Sequence, residues 1–203
     1  MVDFDLMKRY TIFLHTLNGE LGRMFENQAE FIMCKEGCSF CCEHGEYPLS
    51  KLEFDYLLEG YKKLDSETKF KILENIARIN EEQTKSTETP FMHDCPFLIN
   101  KRCSVYENRG IICRTFGLLC EHDDGRLTMP FCQDKGLNYS NVFDDEVGQI
   151  TSEKVDQCQT EPRAFRVSRD NIQNLSIAKN LDIEWGESKT MIDYINESNI
   201  YEL

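Results

Sequence analysis

The sequence predicts a mainly α fold with small β-hairpins (α+β, irregular), in which a metal-centred, cysteine-rich core packs against a long N-terminal helix. Three observations predict it. Residues 4–30 carry a sustained 3.6-residue apolar period; nine of the ten cysteines fall between positions 34 and 132; and two short strand–turn–strand patterns lie among the later cysteines. At 203 residues and 40% hydrophobic, the chain holds enough apolar material for a real core.

The elements follow in order. Leu6, Tyr10, Phe13, Leu14, Leu17, Leu21, Met24 and Phe25 form the stripe of a long amphipathic helix, with His15 expected to be partly buried on it. Cys34, Cys38, Cys41 and Cys42 come next, and Gly37 among such dense cysteines suits a loop or tight turn. Tyr47-Pro-Leu-Ser50 reads as a short extended piece. Ser50 with Glu53 is a capping box that starts a second helix through Leu52, Tyr56 and Leu57, which Gly60 should weaken or end. Phe70, Ile72, Leu73, Ile76 and Ile79 predict a third helix over about 66–84, followed by a loop over 85–94. Residues 95–106 around Asn100-Lys101 read as a hairpin, 106–115 as a short helix, and 118–131 around Asp123-Asp-Gly125 as a second hairpin. Helical patterns return near 170–181 and 188–199. The expected organisation is one helical, cysteine-bearing domain over 1–145, with 146–203 as a C-terminal segment packing on it.

Charge and compartment narrow the function. The net charge is −13, from 23 basic and 36 acidic residues. Such a field repels phosphate backbones and anionic lipid, which argues against nucleic-acid and membrane-surface roles. No apolar run approaches the length of a membrane span. Residues 1–9 lack the basic-then-apolar order of a secretory leader, because Asp3 and Asp5 interrupt it. A cytoplasmic setting is therefore expected, where clustered cysteines bind metal or do redox chemistry more often than they form structural disulfides.

The first four cysteines read C-x3-C-x2-C-C, a spacing at which a turn can aim thiolates at one zinc ion or at corners of an iron–sulfur cube. Cys95, Cys103, Cys113, Cys120 and Cys132 follow at wider intervals, as hairpin and helix ends would space them. Together the nine could complete one site or two. The vicinal pair Cys41-Cys42 is awkward for one small ion, since adjacent side chains point apart, and more naturally feeds two centres, or supplies one ligand and one supporting thiol. Lys35, Arg102, Arg109 and Arg114 sit near cysteines in an otherwise acidic chain and would offset thiolate charge. His44, His93 and His122 each lie two residues from a cysteine and could reach the same ion from an extended segment, or support it indirectly. C-x3-C-x2-C is also the spacing of radical S-adenosylmethionine enzymes. Their alternating strands and helices do not follow here, and no glycine-rich strand end offers a site for that cofactor or for another methyl donor.

Cys34-x3-Cys38-x2-Cys41-Cys42, Cys95-Pro-Phe-Leu, Cys103-Ser-Val-Tyr-Glu-Asn-Arg109 and Cys113-Arg114-Thr-Phe, in that order, resemble the bacterial YkgJ-type cysteine-cluster family, described as chelating zinc or iron. The resemblance covers roughly residues 34–135 and includes Tyr47-Pro-Leu-Ser50; Gly110 departs from it, where the family commonly has proline. It implies metal ligands at Cys34, Cys38, Cys41, Cys42, Cys95, Cys103 and Cys113. Cys132 joins them because relatives often carry a cysteine after the second hairpin. Cys120 stays outside that set, and Cys158 reads as an ordinary thiol. Flagellin lysine methylases, which carry a similar cysteine block, imply an iron–sulfur cluster; a [4Fe–4S] centre is the favoured cofactor, with zinc close behind. Three roles stay open: a metal or cluster protein of redox or electron-transfer type, a cluster-containing methyltransferase-like enzyme, and an interaction module with structural zinc. The metal is the expected partner, and the sequence names no protein partner.

Overall fold

The structure, a computed structural model, describes residues 3–35 and 37–203. Met1 and Val2, part of the leader reading, lie outside the described residues. In chain order the elements are α1 (Phe4–Asn27), α2 (Phe40–Glu43), β1 (Pro48–Ser50), α3 (Lys51–Lys62), α4 (Ser66–Lys85), β2 (Leu98–Ile99), β3 (Arg102–Cys103), α5 (Ile111–Thr115), β4 (Cys120–Glu121) and β5 (Leu127–Thr128). Then come β6 (Phe143–Asp144), β7 (Gln149–Ile150), α6 (Ser152–Val155), α7 (Arg169–Gln173), α8 (Ser176–Asn180), β8 (Ser188–Thr190) and α9 (Met191–Glu197). The fold is mainly helical, with short two-stranded antiparallel sheets, as the sequence predicts. Among the described residues no helix is long and apolar enough to cross a membrane.

The chain divides into two compact units. Residues 3–7, 37–113 and 184–203 form the first; residues 8–35 and 114–183 form the second.

In the first unit, α3 starts where the capping box predicts: Ser50 accepts from the Glu53 N–H while the Glu53 side chain accepts from the Ser50 N–H. Gly60 does not end α3, which continues to Lys62. A Cβ there would meet the Asn108 side chain at 2.8 Å, so the glycine serves a close approach by Asn108, whose amide donates to the Tyr56 carbonyl at 2.9 Å. Asp65 caps α4, whose buried stripe is Ile72, Ile76 and Ile79. Phe70, expected on that stripe, is 60% exposed, because it sits about half a helical turn away from Ile72. Each buried isoleucine contributes about 1.5–3 kcal/mol, against roughly 0.3–0.5 kcal/mol for exposed pairs such as Lys71–Glu67 and Lys85–Glu81. The apolar stripe therefore holds α4, and the surface pairs add little. β1 pairs antiparallel with β8, Leu49 opposite Lys189. α9 then packs Met191, Ile192, Tyr194 and Ile195 into the same core as Leu49, Phe54 and Leu57, with the Phe54 and Tyr194 rings stacked at 4.9 Å. β2 and β3 form the predicted hairpin, its two-residue turn made by Asn100 and Lys101 at φ 50° and 60°.

In the second unit, α1 buries Tyr10, Phe13, Leu14, Leu17 and Leu21 as the periodicity predicts, while His15 is exposed. A smaller core gathers Phe31, Leu119, Tyr139 and Val142, with the Phe31 and Tyr139 rings stacked at 5.6 Å. The stretch after α1 is an anchor for distant backbone. The Gln28 side chain accepts from Arg163 N–H at 2.6 Å, and Glu30 accepts from the N–H groups of Gln159 and Thr160 at 2.9 Å each. β4 and β5 are the predicted second hairpin. The β6–β7 hairpin, joined through Asp145, Glu146, Val147 and Gly148, has no counterpart in the sequence reading.

Candidate metal centre

None of the ten cysteines is in a disulfide. The first unit draws five of them together from positions far apart in sequence. The Ser39 carbonyl accepts from the Cys42 N–H at 2.7 Å as α2 begins, and the Cys42 carbonyl accepts from the Cys95 N–H at 2.7 Å. Gly45 and His93 exchange two backbone bonds, of 2.9 and 3.0 Å, alongside. This short antiparallel ladder sets Cys42 beside Cys95. The β2–β3 hairpin brings Cys103 opposite Leu98, and the Ser104 N–H and hydroxyl both donate to the Phe97 carbonyl at 2.9 Å. α5 delivers Cys113. Its start is held from α3: Glu53 Oε1 accepts from the Ile111 N–H at 2.7 Å.

The sulfurs of Cys41 and Cys42 are 3.9 Å apart. This corrects the expectation that the vicinal pair points apart, since backbone curled into the short helix α2 turns both side chains to one side. The separation is close to the edge of a tetrahedral thiolate set, roughly 3.8 Å for metal–sulfur bonds of about 2.3 Å.

Electrostatics show the rest of the grouping. Contact with the Cys42 sulfur, then burial, pushes the Cys41 thiol far above its ordinary range. Burial, then Cys113 and Cys103, raises Cys95; burial raises Cys103, where Cys41 adds to the effect. Cys113 is pushed up to about 12 by burial first and then by Cys103 and Cys41. The Arg109 guanidinium, stacked 3.7 Å from the Tyr106 ring centre, partly offsets the rise at Cys103 and Cys113. Tyr47 borders the same sulfurs: burial, then Cys95, Cys42, Cys113 and Cys41, raises its phenol. Its backbone is left-handed at φ 56°, a strained conformation for a bulky residue, and its hydroxyl donates to the His93 carbonyl at 3.2 Å.

Of the three histidines near cysteines, His93 alone is buried. Its Nδ1 lies 2.8 Å from the Asp94 carbonyl and donates to it, and Nε2 is buried with no hydrogen-bond partner. His44 is exposed, and His122 places Nε2 2.8 Å from Thr128 Oγ1 on the β4–β5 hairpin.

The other sequence candidates have these surroundings. Cys38 is exposed in the first unit. In the second unit, Cys34 is exposed, and the buried Asn138 accepts from the Met33 and Cys34 N–H groups at 3.0 Å each while donating to the Gly117 carbonyl. Cys132 is buried in the 3-10 turn Phe131–Lys135. Cys120 lies on β4 with its thiol 3.8 Å from the Glu121 carbonyl. Cys158 packs on the small apolar core and donates to the Lys154 carbonyl at 3.6 Å, an ordinary local thiol. Lys35 and Arg102 are exposed; Arg114 is buried and donates to Asn18 Oδ1 at 3.0 Å.

The donor chemistry fits a soft metal: six disulfide-free thiols in one unit, two of them at coordination spacing, and a buried imidazole nitrogen without a partner. As the side chains lie, no three His, Cys, Asp or Glu groups among the described residues close on an ion. Sequence reasoning missed Tyr47 and Glu53 as parts of this region. Glu53 was visible as a helix cap, but nothing in the sequence shows that its second oxygen reaches residue 111.

Residues 33–133 match the model of the family CxxCxxCC, described as "Putative zinc- or iron-chelating domain". The matched stretch holds nine cysteines, from Cys34 to Cys132. No curated protein and no solved structure matches the chain.

Proposed function

The chain belongs to the CxxCxxCC family through residues 33–133, and from that premise we propose that it is a metal-binding protein holding a single zinc or iron ion on thiolates drawn from Cys41, Cys42, Cys95, Cys103 and Cys113. The observation that carries the reading is the 3.9 Å separation of the Cys41 and Cys42 sulfurs. Two thiolates at that spacing suit one tetrahedral ion. A [4Fe–4S] cube takes one thiolate per iron and spreads its ligands farther apart, so it would not use both members of this pair. The cube is the second reading, supported by the number of cysteines. Bound zinc would cross-link the α2, hairpin and α5 segments; bound iron would add one-electron chemistry. Structural and interaction roles go with zinc, and electron transfer with iron. His93 offers a nitrogen donor beside Cys95. Cys34, Cys38 and Cys132 complete the motif set, and their substitution by serine asks whether the ligand shell extends to them.

Metal and acid-labile sulfide analysis of anaerobically purified full-length protein tests the reading. About one zinc or iron per chain without sulfide is expected. Iron with matching sulfide would replace this reading with the cube, and a metal-free, fully folded protein would overturn both.

A further inference from the structure

Glu53 has no exposed surface, and a carboxylate taken out of water is costly unless its oxygens are matched by donors. Oε2 accepts from the Ser50 N–H at 2.9 Å and the Ser50 hydroxyl at 2.8 Å, which accounts for helix capping. Oε1 is not needed for that task. It crosses 58 residues of sequence to accept from the Ile111 N–H at 2.7 Å, two residues before Cys113. The intervening backbone leaves room for this bond. A Cβ at Gly110 would meet Leu49 Cδ2 at 2.4 Å and Glu53 Oε1 at 3.2 Å, so the bare glycine lets the α5 strand of backbone settle on the carboxylate.

We infer that Glu53 is a positioning residue for the metal centre: its Oε1 fixes the start of α5 and with it the place of the Cys113 sulfur among the other thiolates. The inference rests on the metal reading above. Outer-shell hydrogen bonds of this kind orient ligands, and their loss typically weakens metal binding about 10- to 100-fold.

Cobalt(II) titration of the full chain tests it, with the affinity and the visible ligand-field bands as readouts. Glu53→Ala is expected to weaken cobalt binding about 10- to 100-fold and to shift the bands, because the sulfur geometry changes. Glu53→Gln keeps an oxygen for Ile111 and should restore most of the affinity. Ser50→Ala removes the capping hydroxyl but leaves the Glu53–Ile111 bond; it should lower the melting temperature with wild-type affinity and bands, separating positioning from helix stability. If Glu53→Ala does not fold, Glu53→Asp decides, since its shorter reach withdraws the carboxylate from Ile111 while keeping its charge. Wild-type affinity and bands in whichever of these two folds overturn the inference. Absence of thiolate-bound cobalt in the wild type overturns the metal reading instead, so the two failures are distinguishable.

Discussion

Cysteines of the two units are held in different ways. In the first unit, Cys38 aside, they are held against one another: Cys42 and Cys95 by a backbone bond, Cys41 and Cys42 by sulfur contact, Cys103 and Cys113 by the hairpin and by the helix seated on Glu53. In the second unit, Cys34, Cys120 and Cys158 make contacts of another kind. Asn138 grips the backbone of Cys34, and the thiols of Cys120 and Cys158 meet carbonyls one and four residues away. The difference teaches that crowding in sequence is a poor guide to convergence in space. What gathers the thiols of the first unit is backbone pairing between distant segments, here 42–45 with 93–95.

Three predictions can break or sharpen that comparison. The largest effect is expected at Cys42 and Cys95. Replacing either by serine should remove the metal and lower stability by several kcal/mol, since structural metal binding and folding share their free energy. For a chain of this size that is a fall in melting temperature on the order of 10 °C or more, read by thermal denaturation alongside metal analysis.

A second, intermediate effect concerns pH. In the metal-free protein the buried thiols of Cys95 and Cys113 have raised pKa values, with Cys113 pushed up to about 12 from an ordinary 9.0. The unfolded chain then loses these protons first as pH rises. Their contribution to stability is fully present below pH 9 and is lost as pH climbs from 9 towards 12. Denaturant melts of metal-free protein should therefore weaken across that window. Metal-loaded protein, whose thiolates are already ionised, should instead weaken on acidification, as protons compete for sulfur. Parallel curves for the two forms would contradict the thiolate ligation.

The smallest effect is expected at Cys158. Serine there should cost about 1 kcal/mol or less, by loss of a partly buried sulfur, and leave the metal content unchanged. Metal loss in this variant would erase the distinction between the two sets of cysteines.

Much of this was legible in the sequence. The α1 stripe, the Ser50–Glu53 capping box and the Asn100-Lys101 turn all rest on interactions within one turn of the chain, and each is where periodicity and turn chemistry put it. What could not be read depends on contacts over long separations. The β1–β8 pairing joins residues 140 positions apart, Leu49 with Lys189, and no local pattern announces it. Phe70 was misread because an aromatic residue at a helical position looks buried until the phase of Ile72, Ile76 and Ile79 is fixed by packing. Cys41-Cys42 was misread because side-chain divergence was assumed from extended backbone, whereas α2 is a single helical turn. His93 differs from His44 and His122 only through burial, which spacing from a cysteine does not reveal.

The central claim is that Cys41 and Cys42 serve one ion. X-ray absorption at the metal edge of the purified protein tests it most directly, in wild type and in Cys42→Ser. A first shell dominated by sulfur at about 2.3 Å, losing one sulfur in the variant or failing to form at all, is the predicted result. A shell of oxygen ligands, a short metal–metal distance from a cluster, or a sulfur count untouched by Cys42→Ser would contradict it.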